Sequence, residues 1–144
     1  MNKKNGFTLF ELLVTVSIIG ILMAIASVSF SSAQKKGRDA RRLEDMAAVQ
    51  KAAESMYSLS TDYMYPANSA SAWVIAGTGE VVLPAYPEDP KGDDYTQYTY
   101  THPDGTNATY CACALVENTN SANSGANCNF GAASKTYYCV KNQQ

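Results

Sequence analysis

The feature that most constrains this chain is a run of 22 residues, Leu12 to Ala33, without one charged side chain. A helix rises about 1.5 Å per residue, so a run of this length crosses a hydrocarbon core of roughly 30 Å. Its flanks narrow the reading. Met1-Asn2-Lys3-Lys4-Asn5-Gly6 is short, polar and positive. The chain turns apolar at Phe7, and Glu11 is the one charge between Phe7 and Gln34. A secretory signal cut near Ala24-Ile25-Ala26 would have a shorter apolar run and no carboxylate inside it. A plain signal anchor fits the length but leaves Glu11 unexplained. A carboxylate in a span costs on the order of 3 kcal/mol at the helix centre and less near the end. Glu11 therefore needs a cationic partner.

The run Lys4-Asn5-Gly6-Phe7-Thr8-Leu9-Phe10-Glu11 resembles the processing motif of type IV prepilins and pseudopilins. That resemblance implies cleavage by a prepilin peptidase between Gly6 and Phe7, followed by N-methylation of Phe7 by the same enzyme. The new terminus is a cation four residues from Glu11, on the same helical face. In family filaments the glutamate is thought to neutralise the amine of a neighbouring subunit, which relieves the cost of two buried charges. Many family members have proline where this chain has Val28, so the kink that the resemblance implies there lacks its proline, and Gly20 remains as a weak point for bending or local melting. The cations after the span outnumber Lys3 and Lys4 before it. The positive-inside rule would thus reverse the orientation that the family implies, with the leader in the cytoplasm.

The helical pattern continues past the span. Leu43, Met46, Ala47, Val49, Ala53, Met56 and Tyr57 recur at three- and four-residue steps, which predicts an apolar stripe that packs on the protein's own head. One helix is expected from about Phe7 to Leu59, with Gly37 as a hinge or a tolerated glycine. The cluster Lys35-Lys36-Gly37-Arg38-Asp39-Ala40-Arg41-Arg42 reads as a solvated face. Pro66 is unsuited to the helix interior and lies beyond its end.

The rest reads as a small antiparallel sheet. Trp73-Val74-Ile75 and Glu80-Val81-Val82-Leu83 flank Ala76-Gly77-Thr78-Gly79 as a hairpin. Strands are expected at Tyr95–Thr101, Ala108–Val116 and Lys135–Lys141, the first two joined by a turn at Asp104-Gly105. The fold class is α+β. Four parts follow: a leader (1–6), a transmembrane or filament-core half-helix (7–34), an amphipathic half-helix (35–59) and an extracytoplasmic head (60–144).

Cys111, Cys113, Cys128 and Cys139 all lie in the last 34 residues. In an exported domain this favours disulfides. Zinc is the alternative, but no C-x-x-C pair is present and His102, the sole histidine, stands apart. Four cysteines allow three pairings. Cys111 and Cys113 face one side of a strand. Should the last strand pair antiparallel with it, Cys113 would meet Cys139 and Cys111 would take Cys128.

The loop of the head is similar to that of the major pseudopilin of type II secretion. The matching residues are Asp62 with Tyr65-Pro66, Leu83-Pro84, and Asp89-Pro90-Lys91-Gly92 before Tyr95 and Tyr98, with Lys91 in place of a tryptophan. Those pseudopilins hold calcium in an acidic carboxy-terminal loop. Residues 118–127 here contain no Asp or Glu, so no calcium, and no other metal or cofactor, is expected.

A nucleophile with its base, or a phosphate loop, is missing from the sequence, and His102 sits in a Pro-Asp-Gly turn, so an enzyme is not expected. A net charge of −2 does not indicate a nucleic-acid partner. The resemblance implies a structural subunit of a type IV pilus or pseudopilus. Its partners would be the prepilin peptidase and N-methyltransferase, the bacterial inner membrane, copies of itself and minor pilins. It would sit in the inner membrane as a single-pass precursor, then in an extracytoplasmic filament or at the cell surface. The alternative is a membrane-anchored adhesion or binding module that does not polymerise.

Overall fold

The computed structural model describes residues 6–67, 72–92 and 95–144. Lys3 and Lys4, with the rest of the leader up to Asn5, lie outside the described residues. Helix α1 spans Leu9–Leu59 and contributes to two compact units, one ending at Lys35 and the other running from Lys36 to Gln144.

In the first unit α1 continues through Gly20 and Val28, and every described residue is exposed. Phe10, Ile21, Ile25 and Phe30 are each more than 60% exposed. An apolar helix that buries nothing in its own chain requires an apolar solvent or a partner. Four of its hydroxyls bond back to the helix. Thr15 donates to the Leu12 carbonyl, Ser17 to Leu13, Ser27 to Met23 and Ser29 to Ile25. Such back-bonding gives these four hydroxyl hydrogens an acceptor within the helix. This is the helix among the described residues that is long and apolar enough to cross a membrane.

In the second unit α1 packs against the head. Met46, Val49, Ala52 and Ala53 are buried in a core with Tyr65, Trp73, Tyr98, Tyr110, Ala112, Ala114 and Val140. The stripe differs from expectation at one alanine: Ala47 is exposed, whereas Ala52 is buried. A larger difference lies one turn earlier. Arg42 is fully buried and Asp39 nearly so, at 0% and 2% exposure, so the expected solvated basic face fails there. The reason is helical phase. Positions 39, 42, 46, 49 and 53 form one line along the helix, and the head covers all of them.

Hairpin β1 (Trp73–Val74) and β2 (Val81–Leu83) is closed by hydrogen bonds between Ile75 and Glu80 and from Gly79 to Ile75. Gly77 and Gly79 adopt φ of +95° and +71°, which other residues avoid. The second sheet has the order β3-β4-β5, antiparallel throughout, from β3 (Thr99–Thr101), β4 (Cys111–Leu115) and β5 (Tyr137–Lys141). Strand β3 is shorter than its composition suggests. Tyr98 is drawn to α1 by a 2.7 Å hydrogen bond from its hydroxyl to Asp45, and Tyr95 is engaged by two cations.

Central strand β4 explains the sequence Cys-Ala-Cys-Ala. Alternate side chains face opposite sides of a strand. Ala112 and Ala114 join the core shared with α1, where small side chains allow close approach, while Cys111 and Cys113 join Cys139 in a second cluster. An aromatic series reinforces the first core. Tyr57, Tyr65, Tyr110, Tyr100 and Trp73 follow one another with ring centroids 4.7–5.5 Å apart. Each such pair contributes about 0.5–1.5 kcal/mol beyond its buried area.

Candidate functional site

Three groups of residues bear on function, the first at the start of α1. Gly6 and Phe7 precede the helix as exposed, non-helical chain, with no atom within 4 Å of where a Gly6 Cβ would stand. Thr8 and Glu11 cap the helix reciprocally. The Glu11 N–H donates to Thr8 Oγ1 at 3.2 Å, and the Thr8 N–H and hydroxyl both donate to Glu11 Oε2 at 2.8 Å. This is a capping box, which satisfies backbone donors that the first turn otherwise leaves open. The expectation that Glu11 needs a cationic partner leaves out this cap. The Thr8-Leu9-Phe10-Glu11 spacing carried the signal. The carboxylate is thus already aimed back at the backbone next to Phe7.

The second group is an ion network that joins α1 to two head loops. The Arg42 guanidinium forks onto Asp89, with Nε to Oδ2 at 2.6 Å and Nη2 to Oδ1 at 2.9 Å. Arg42 Nη1 reaches Asp39 at 2.7 Å and Glu117 at 3.1 Å. Arg38 makes a second fork onto Glu117, at 2.6 and 2.8 Å. Asp39 in turn accepts the backbone N–H groups of Glu117 and Asn118 at 2.9 and 2.8 Å. Tyr95 lies under both Arg42 and Lys91, each 4.5 Å from its ring centroid. The cations Arg38, Arg42 and Lys91 face the anions Asp39, Asp89 and Glu117, so the charge of the network as a whole balances, with Arg38 and Lys91 reaching solvent. Asp89, matched above to the pseudopilin loop, is the residue that ties this loop to the helix.

Electrostatics follow from that geometry. Burial works to lower the Arg42 pKa, but hydrogen bonds to Asp89, Asp39 and Glu117 outweigh it and hold the guanidinium above its ordinary value. The Arg38 hydrogen bond, opposed by burial and aided by Arg42, holds the Glu117 carboxyl down to about 2. Both groups stay charged across the physiological range. The arrangement presents no nucleophile; it holds two loops in place.

The third group is the cysteines. The structure joins Cys111 to Cys128 and Cys113 to Cys139, with Cys113 and Cys139 directly opposite in the β4–β5 ladder. His102 lies apart, its Nδ1 2.6 Å from the Thr109 carbonyl, in a turn closed by a 3.0 Å bond from the Gly105 N–H to the His102 carbonyl.

With this geometry in place, comparison with known proteins is informative. The family model described as the prokaryotic N-terminal methylation motif matches residues 1–27. A fimbrial protein of Pseudomonas aeruginosa is 40% identical over 55 residues, 38% of this chain and 36% of the relative. Fimbrial protein Q of Moraxella bovis is 38% identical over 55 residues, 38% of this chain and 35% of the relative. The type IV major pilin protein PilA of Myxococcus xanthus is 36% identical over 66 residues, 46% of this chain and 30% of the relative. No solved structure matches the chain. The chain spans about a third of the length of the curated relatives it matches. Methylation motif, apolar helix and fimbrial relatives together support a type IV pilin-like protein.

Proposed function

We propose that this chain is a structural subunit of a type IV pilus, or of a related secretion pseudopilus. In this reading residues 1–6 are a cytoplasmic leader and residues 7–34 the membrane and filament-core half of the helix. Residues 35–59 fasten the head, and residues 60–144 are that extracytoplasmic head. A prepilin peptidase cuts between Gly6 and Phe7, and Phe7 is N-methylated. The precursor waits in the inner membrane and then joins copies of itself and minor pilins in a surface filament.

One observation carries this reading: the methylation motif leads into a helix whose first turn holds Glu11 and whose next 22 residues are uncharged, mostly apolar and exposed. The open chain at Gly6 and Phe7 suits a peptidase. Cleavage would place an amine one residue before Thr8, on whose N–H the Glu11 carboxylate already lies. Pairing that amine with a Glu11, its own or a neighbour's, neutralises two charges that lipid or a filament core would otherwise penalise.

Imaging of filaments from cells carrying Glu11→Ala tests the proposal. The expected result is loss of assembled filaments with a correctly folded head. Unchanged assembly state and function in Glu11→Ala would favour the anchored module that does not polymerise.

A further inference from the structure

The four cysteine sulphurs form one compact group, all within 4.8 Å of one another. The gaps between bridges are short: Cys111 Sγ lies 3.8 Å from Cys113 Sγ, and Cys113 Sγ lies 3.3 Å from Cys128 Sγ. A zinc tetrathiolate with Zn–S bonds of about 2.3 Å in a tetrahedron needs sulphurs roughly 3.8 Å apart. Only small side-chain movements separate the two arrangements.

The scaffold that sets these positions has hydrogen bonds of its own. Three cysteines sit on the β4–β5 ladder, and the Asn123 side chain grips Cys139 by donating to its carbonyl and accepting from its N–H. The fourth, Cys128, is carried by a self-bonded loop. The Gly125 N–H donates to the Asn129 carbonyl, Ala132 to the same carbonyl, and Phe130 to the Cys128 carbonyl. Asn127 and Cys128 both adopt positive φ, 53° and 61°, which turns the chain sharply at the cysteine. The loop closes so tightly that a Cβ on Gly125 would stand 2.7 Å from Ala132 Cβ. Cys111, Cys113 and Cys139 are buried, and Phe130 packs against them. Lys141, opposite Cys111 in the ladder, places its ammonium over the Phe130 ring at 5.4 Å, a cation on the rim of the group.

We propose that the reduced form of these four cysteines is a zinc(II) tetrathiolate site, so that metal and disulfides are alternative clamps on one loop. A newly made chain carries the four thiols already. From the oxidised chain, each bridge takes two electrons and two protons from a dithiol, which becomes a disulfide itself. Zinc then displaces the four thiol protons and no further electron moves. The spacing C-x-C with two distant cysteines hides this site from a search for C-x-x-C pairs.

The test uses the detergent-solubilised full chain, reduced anaerobically with a phosphine and titrated with cobalt(II), then zinc(II). The expected result is one cobalt per chain with the visible bands of tetrahedral coordination and charge-transfer intensity for four thiolates. Zinc should displace the cobalt, and the oxidised chain should take up neither. Cys128→Ser should weaken zinc binding beyond the roughly 10–100-fold that loss of an outer-shell partner costs. Near-ultraviolet circular dichroism follows the fold of the head in each sample. No uptake by the reduced wild-type chain, folded or not, would overturn the proposal. So would fewer than four thiolates per cobalt, or equal uptake by the oxidised chain.

Discussion

The two halves of α1 obey different rules. Up to Lys35 the side chains predict their own surroundings: they are apolar and exposed, so the surroundings must be apolar. From Lys36 onward residue type misleads. Arg42 and Asp39 are buried, while the alanines Ala40, Ala47 and Ala48 are exposed. There the phase of the helix decides what faces the head, and chemistry adapts by supplying a counter-charge for each ion. Burial of a polar residue is thus a property of its position, and its partners reveal whether that burial is tolerable.

The sharpest way to break this contrast is Arg42→Met. It leaves Asp39 and Asp89 without their guanidinium and should destabilise the head by about 3–5 kcal/mol, read from urea unfolding followed by tyrosine and tryptophan fluorescence. The exposed Arg41→Met, one position away, should change stability by less than about 0.5 kcal/mol. Equal losses would mean that Arg42 is not buried as described. Next in size is the paired change Cys113→Ala with Cys139→Ala. Removing this bridge should cost about 2–4 kcal/mol in the same assay while leaving Cys111–Cys128 intact by peptide mapping.

Acid should act through Glu117. Its pKa is lowered in the folded head, from an ordinary 4.5 to about 2. Its contribution is therefore complete above about pH 4.5 and is lost as pH falls toward 2. Thermal melts between pH 6 and pH 2 should show this decline, and Glu117→Gln should flatten it. A slope unchanged by the substitution would place the acid sensitivity elsewhere. The smallest effect belongs to Thr8→Val, which removes the hydroxyl half of the cap and should weaken the first turn by about 1 kcal/mol. Hydrogen exchange in detergent should show faster exchange confined to the first turn, with head stability unchanged.

Much of this architecture was legible because it rests on local pattern. The apolar run, the stripe through Met46, Val49 and Ala53, and the Asp104-Gly105 turn each carry their period or turn chemistry in a few neighbouring residues. What escaped is non-local. Arg42 meets Asp89 and Glu117 from 47 and 75 positions away. Charged residues at 39 and 42 look solvated until the stripe is extended backward by one turn. Tyr95 and Tyr98 have strand composition, yet their side chains are claimed by Arg42, Lys91 and Asp45. The Thr8–Glu11 cap is a different case. It is local, carried by the Thr8-x-x-Glu11 spacing, and Glu11 has this ordinary duty at the helix start besides any role in a filament.

The central claim is that this chain is processed at the junction before α1 and assembles through that helix. Mass spectrometry of the amino terminus of the protein recovered from cells tests it most directly. The account predicts a chain that begins at Phe7 and carries one methyl group on its terminal nitrogen. A mature protein that still begins at Met1 with the leader intact would contradict it.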